Sequence, residues 1–427
     1  MELFRKNIFK IMLAMSLMFL SCKMEETCVI VTASLEPVRE YNFEHDKGDW
    51  TVMVYMPADN SMEKAALVDI NEMEAAEFDF ENNHVIVLAD CNNNRDGYGG
   101  EWNGTRLYEI QHDKNGMNEA LVSLRLGCKE LGLSSRKEGE LDMSDPEVLK
   151  TFVSSTAKYY PASHYAFVMW GECSGYSGRS KTSRAVAFDD TSVSYMENND
   201  FAESLKDGLE KNFDVLAMDT CFGSEIELLC EFEKCADYFV GMEGLQKVEG
   251  WDYCPLLNLL SKEPDEGKKF AELLMESQKE KNISIVNMSK IKDLCSEFDL
   301  FSKSLTNSIK TKSNAEKIKS EILESDFCFR AYESAVNPVY GDIKYMAEKY
   351  GGQSLASCIE KTVRTNNQKY GGIGVFLCNL DKENNLILDI PGDYVRGNGN
   401  CKFVNESEHY AFSQDNSGTF MDKIFRN

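Results

Sequence analysis

Histidine is scarce in this chain. Five of its 427 residues carry an imidazole, at positions 45, 84, 112, 164 and 409, so chemistry that needs one has few places to find it. Positive charge is also short: 46 Lys and Arg face 71 Asp and Glu, a formal net charge of −25. Such a surface argues against nucleic-acid binding, which needs basic patches to neutralise phosphates; it suits cationic ligands or plain solubility. The fourteen cysteines contain no CxxC repeat with zinc-site spacing. A disulfide framework is weakly supported as well, because Cys230, Cys295, Cys358 and Cys378 fall in apolar strand or helix patterns where a thiol packs as a small hydrophobe. Internal repeats and long low-complexity linkers are absent.

The first residues are set apart from the rest. Arg5, Lys6 and Lys10 precede the apolar run Ile11–Leu20, which ends at Ser21-Cys22. This is the tripartite pattern of a secretion signal, with an apolar run too short to remain as a membrane-spanning helix. The small residue before Cys22 resembles a bacterial lipobox. That resemblance implies a cell-envelope lipoprotein, periplasmic or surface-exposed, lipidated on Cys22, with residues 23–48 as a tether and the lipid as its one membrane contact. An ordinary signal peptide cleaved elsewhere is the alternative.

From residue 50 onward, short apolar runs alternate with amphipathic segments. "TVMVYMPAD" (51–59), "HVIVLAD" (84–90), "HYAFVMW" (164–170), "DVLAMDT" (214–220) and "YFVGME" (238–243) read as strands buried on both faces. Helices are expected over about 60–76, 144–160 and 200–211 and after residue 221, the second beginning at Ser144 with Glu147 and stopping at Pro161. "RLYEI" (106–110) is expected to close a hairpin-like excursion, and 111–143 to be irregular. Residues 183–198 read as a loop or hairpin. Beyond residue 262 helices dominate, at 264–281, 289–310, 313–324 and 341–349, with strand-like runs at 283–289 and 372–380. This alternation predicts an α/β fold with a mostly parallel sheet between helical layers. The expected core covers residues 49–262, with a helix-rich part, 263–427, packed on it.

In open parallel sheets, ligands and catalysts gather at the carboxyl ends of strands. Asp59, Asp90, Glu172, Cys221 and Glu243 all lie at such ends. Loops are polar, so any one of them alone means little; as a set they point to a site. Here the sequence resembles the clostripain-type cysteine peptidases (family C11, related in fold to caspases and gingipains). The resemblance rests on "WTVMVYMPADNSMEKAALVDINEME" (50–74), "YAFVMWGECSGY" (165–176), the segment from Ala187 to Phe232 containing "DVLAMDTCFG", and "VGMEGLQKVEGWDY" (240–253). It implies a caspase-like αβα sandwich with helical C-terminal additions. It also implies Cys221 at the nucleophile position, the backbone N–H of Cys173 as an oxyanion donor, and Asp219, Glu243 and Glu249 around a pocket for a Lys or Arg side chain of a peptide or protein. Some relatives depend on calcium, for which Asp189 and Asp190 are candidate ligands. Maturation by cutting after Arg179, Lys181 or Arg184 is also implied.

One position departs from the pattern. Where the family has His-Gly, this chain has Glu172-Cys173. A cysteine peptidase needs a thiolate and a protonated base for the leaving amine, and an imidazole serves both. An ionised glutamate beside the thiol raises its pKa, and it has no proton to give at neutral pH unless burial shifts its own pKa by several units. His164 and His84 begin strands, about 20 Å from the carboxyl ends at ~3.3 Å per residue; His45, His112 and His409 fall in segments the pattern does not place. Three readings follow: a weak or inactive peptidase acting by binding, an active endopeptidase with Arg/Lys preference, and a redox role through a Cys173–Cys221 disulfide, for which Cα atoms must come within ~4.4–6.8 Å.

Overall fold

A computed structural model describes residues 38–40, 45–91, 103–118, 120–137, 139–175, 185–260, 266–278, 282–330, 337–381, 383, 385, 402–410 and 418–426. The secretion signal, Cys22 and the three basic residues of the expected cutting segment lie outside these.

The centre is a ten-stranded sheet. Its strands are β1 (Val38–Glu40), β2 (Gly48–Pro57), β3 (Asn83–Cys91), β4 (Gly104–Glu109), β5 (Leu124–Gly127), β6 (Ala162–Gly171), β9 (Phe213–Thr220), β10 (Ala236–Met242), β11 (Ile283–Asn287) and β14 (Val363–Thr365). Between β6 and β9 the chain forms a separate hairpin of β7 (Ala185–Asp189) and β8 (Ser194–Glu197). A further small sheet joins β12 (Cys328–Arg330), β13 (Asn337–Asp342) and β15 (Gly374–Leu380). The large sheet runs β1-β5-β4-β3-β2-β6-β9-β10-β11-β14. Its five central strands, β3-β2-β6-β9-β10, are parallel, and antiparallel strands flank them.

Alternation along these strands explains their continuous apolar runs. Met53, Tyr55, Ile86, Leu88, Phe167, Met169, Leu216 and Met218 enter one buried cluster, and their neighbours Val52, Val54, Val85, Val87, Ala166, Val168, Val215 and Ala217 enter a second on the opposite face. Both faces are covered, which is what an all-apolar parallel strand requires. The expected αβα fold is therefore the observed one. The helix over Pro146–Tyr159 is capped by the Asp145 carboxylate, which accepts from Glu147 N–H at 2.9 Å, in place of the expected Ser144. The stretch 111–143, expected to be irregular, supplies β5. The part beyond residue 262 adds β11 and β14 to the large sheet.

Strand order reverses once in the parallel core: β2 is followed by β3 on one side and by β6 on the other. Ligands collect beside such a switch point, outside the carboxyl ends. Glu172 and Cys221 leave the sheet there, from β6 and β9.

Candidate active site

Register brings the two opening segments together. Trp170 pairs with Asp219 and Gly171 with Thr220 across β6 and β9, so Glu172 and Cys221 follow neighbouring strand ends. Gly171 turns the chain at φ +115°, a backbone state that side chains rarely adopt. Trp170 is fixed beneath it by its indole N–H, which donates to Asp69 Oδ2 at 2.6 Å. Beyond the turn, Ser174 N–H donates to Ala185 O at 3.1 Å and Cys173 bridges to Val186, clipping this segment to the β7–β8 hairpin. After Cys221, Phe222 takes a left-handed φ of +51°. Its N–H donates to Gly244 O at 2.7 Å, and its ring stacks on Tyr340 with centroids 4.6 Å apart.

Cys221 is buried and is covered by the loop after β10. Gln246 N–H donates to its Sγ at 3.3 Å, and the thiol donates to Gln246 O at 3.8 Å. Burial pushes the thiol well above its ordinary range, and the Glu172 carboxylate beside it pushes further in the same direction. Cys173 is buried too, and its thiol is raised to about 12 by the same desolvation. Glu172 is half-buried; desolvation raises its carboxyl to about 7, with a contribution from Asp190 on the hairpin. Burial thus supplies the shift that a proton on this glutamate at neutral pH requires, and near pH 7 it is about half protonated. Cys173 and Cys221 are both free thiols, so the disulfide that a redox role needs is not formed.

Asp219 is buried and richly held. Trp251 N–H donates to Oδ2 at 3.1 Å, Tyr253 O–H donates to the same oxygen at 2.8 Å, and the Gln246 side-chain amide donates to Oδ1. Glu243 is buried at the end of β10, accepts from Gly372 N–H at 2.9 Å, and shares a hydrogen bond with Asp342 from β13. It thus faces the C-terminal part of the chain. Glu249 is exposed on the loop that covers Cys221. Gln246, Trp251 and Tyr253 were missed from sequence although they lie in the segment that carries the family resemblance; none of the three is ionised at neutral pH, and charge was the signal followed.

All five histidines are engaged away from this site. His164 Nδ1 lies 2.7 Å from Asp214 Oδ1 at the start of β6, and its ring stacks on Trp50. His84, at the start of β3, and His45 pack around Tyr160 and Glu109. His112 Nδ1 contacts Ala76 O at 2.9 Å, and His409 sits beside Glu408 with its backbone N–H on Asp299.

Among the described residues, two groups of side chains have the donor density of a metal site. In one, His45, His84 and Glu109, the carboxylate already accepts from Tyr160 O–H at 3.0 Å and lies 3.4 Å from Arg39. The other is Asp59, Asp90, Glu140 and Asp189, near the carboxyl ends of β2 and β3 and on the hairpin. Asp190, expected as a ligand, is outside this group and donates its N–H to Asp59 O at 3.0 Å.

A parallel core with one order reversal, and a cysteine at the carboxyl end of the strand next to the switch, defines a caspase-like α/β fold of the cysteine-peptidase type. The sequence profile of the clostripain family (peptidase C11) matches residues 54–404, and the chain belongs to that family. Clostripain of Hathewaya histolytica is 30% identical over 196 residues, covering 43% of this chain and 35% of clostripain; the match thus spans about a third of that relative's length. Two solved structures share the fold at 17% identity. A secreted C11 cysteine protease from Bacteroides thetaiotaomicron, bound to an irreversible peptide inhibitor, has a TM-score of 0.58 and covers 84% of this chain and 99% of its own. An inactive zymogen C11 protease from Parabacteroides distasonis has a TM-score of 0.57, covering 85% and 99%. Among the described residues, no helix is long and apolar enough to cross a membrane.

Proposed function

We propose that this protein is a weak or inactive clostripain-type peptidase that acts by binding peptide or protein segments carrying Lys or Arg. One observation carries the reading: all five imidazoles are engaged elsewhere, and a carboxyl group stands beside Cys221 in their place. Passing the thiol proton to Glu172 runs from a group held above its ordinary 9.0 to one near 7. The transfer is uphill by more than ~3 kcal/mol, over a hundredfold in thiolate population. A general base typically contributes ~10²–10⁴-fold in rate, so most of that contribution is lost. Asp219 supplies negative charge for a cationic side chain, the ligand class that carboxylates bind by charge-assisted hydrogen bonds. Secretion and anchoring through Cys22 belong to the same proposal, and the secreted character of a structural neighbour supports the first of these.

A second reading, an active endopeptidase cleaving after Arg or Lys, gains from the Glu172 carboxyl near 7, because a half-protonated acid can serve the leaving amine. Labelling with an arginyl, thiol-directed active-site probe separates the two. The binding reading expects no adduct at Cys221 and no cleavage of fluorogenic Arg or Lys substrates above a Cys221→Ala control, with Glu172→His gaining reactivity. Rapid labelling of Cys221 in the natural protein would establish the enzyme.

A further inference from the structure

Cys230 and Cys295 read from sequence as small packing residues, and each does sit on a helix that packs into the core. Cys230 is buried on the helix Ile226–Glu231, which begins shortly after Cys221. Cys295 lies on the helix Ile291–Ser308, one turn before the buried Phe298 and on the same side, because residues three apart are neighbours on a helix. The two helices pack against each other, with Cα atoms within 8 Å. Their thiols meet in a hydrogen bond. A third helix, Lys402–Glu406, braces the pair. It packs on the first helix, its Phe403 ring lies against Phe298 with centroids 6.0 Å apart, and Lys402 donates its N–H to Glu231 and its ammonium to Glu233. Segments far apart in the chain thus fix where each sulfur lies. Cys295 keeps part of its surface exposed, so a reagent from solvent has a way to the pair.

We propose that Cys230 and Cys295, free thiols here, are a disulfide site that staples the helix following Cys221 to the C-terminal helices once the chain meets a disulfide oxidant. A disulfide needs Cα atoms within ~4.4–6.8 Å, a separation open to packed helices whose thiols already touch. The oxidant is a small-molecule or carrier-protein disulfide. The Cys295 thiolate attacks one of its sulfurs, and the carrier leaves as a thiol. Cys230 then attacks the mixed disulfide and releases the second carrier thiol. Two protein S–H bonds and one carrier S–S bond are broken, one protein S–S bond and two carrier S–H bonds are formed, and the carrier takes up two electrons and two protons. The hydrogen bond to Cys230, and then burial, hold the Cys295 thiol well above its ordinary range, while Lys402 draws it back in part. Exchange is therefore slow unless a catalyst carries it. Secretion would supply an oxidising compartment, but the site itself stands whether or not the chain is exported and whether or not Cys221 hydrolyses anything.

The test uses the full chain, reduced, freed of reductant and incubated for hours with oxidised glutathione. Iodoacetamide under denaturing conditions then blocks the remaining thiols, and an unreduced digest is read by mass spectrometry. A peptide pair joining Cys230 to Cys295 is expected, and it should disappear on treatment with dithiothreitol. The two cysteines stand about 65 residues apart, and closing a loop of that size should raise the melting midpoint of a chain of this length by about 5 °C over the reduced protein. Cys295→Ser should lose both the linked peptide and the rise. Cys358→Ser, which removes another half-buried thiol, should keep both. If Cys230→Ser does not fold, Cys295→Ser on the more exposed side carries the comparison alone. Both cysteines found alkylated in the folded, oxidised parent would overturn the assignment. So would either one linked to a different cysteine, an equal midpoint with and without the link, or loss of the link in Cys358→Ser.

Discussion

Replacing Glu172 with glutamine tests the electrostatics of the site through stability, independently of any substrate. The folded carboxyl titrates near 7, above its ordinary 4.5, chiefly through burial. A raised folded pKa means that the native state holds the proton more tightly than the unfolded chain does. The stability linked to it is therefore full below about 4.5 and is lost as pH rises through 7. The gap corresponds to ~3 kcal/mol at pH 8. Glutamine keeps the shape and removes the charge, so E172Q should equal the parent at pH 4.5 and exceed it at pH 8. At about 2 cal/mol/K per residue, ~3 kcal/mol is roughly 4 °C in melting midpoint. The groups facing Glu172 are Asp190 on the hairpin, Cys221 after β9 and Cys173 next in the chain. Iodoacetamide labelling of Cys221 gives a second readout: burial is the larger cause of its raised pKa, so E172Q should speed labelling less than tenfold. A variant that melts lower than the parent at pH 8, or that differs from it equally at both pH values, would refute the reasoning.

Gly171→Ala isolates backbone strain, because an added Cβ would meet nothing closer than Pro57 O at 3.8 Å while φ stays at +115°. A loss of about 1–3 kcal/mol in denaturant unfolding is expected, and an unchanged midpoint would show that the turn relaxes. Gln246→Ala removes the side-chain amide donor to Asp219 and leaves Trp251 N–H and Tyr253 O–H in place. Binding of a guanidinium ligand such as agmatine should tighten about tenfold, the worth of one such bond; equal affinity would place that ligand elsewhere. Asp342→Asn neutralises the partner of Glu243, both of whose carboxyls are raised by burial. It keeps an N-cap for the helix that follows, which Asp342 now caps through Tyr345 N–H at 2.8 Å. The parent should lose stability as pH rises above the ordinary carboxylate range, and the asparagine variant should flatten that decline in thermal melts from pH 5 to 8.

The parallel core was legible because its strands are buried on both faces, so Thr51–Asp59 and Asp214–Thr220 read as continuous apolar runs with few rivals to a strand assignment. Glu172 and Cys221 were legible as neighbours for the same reason, since both follow strands that end at one edge. What escaped was set by contacts between distant segments. β5 and β14 are four and three residues long and exist through pairing with β4 and β11; no periodicity can show in so short a run. Glu140 joined the carboxylate group because Thr105 N–H, on β4, bonds to Gly139 O at 2.6 Å and folds that excursion back. The Asp219 pocket wall escaped because its donors are a backbone N–H, a phenol and an amide, none of which announces itself as charge does.

The edge of the sheet that carries Cys221 also carries Asp59, Asp90, Glu172, Asp219 and Glu243. Carboxyls at four of these places or their neighbours (Asp90, Glu172, Asp189 and Glu243) titrate above their ordinary range. A catalytic imidazole would set positive charge among them whenever it took the thiol proton. With glutamate in that position, the same edge becomes more anionic, and thiolate formation adds one more negative charge to an already unfavourable field. The substitution therefore acts in two directions at once: it opposes the charge that hydrolysis must create at sulfur, and it favours cations that arrive from outside, whether a guanidinium, an ammonium or a metal ion. The binding proposed above, with diminished cleavage, is what that one change in sign predicts.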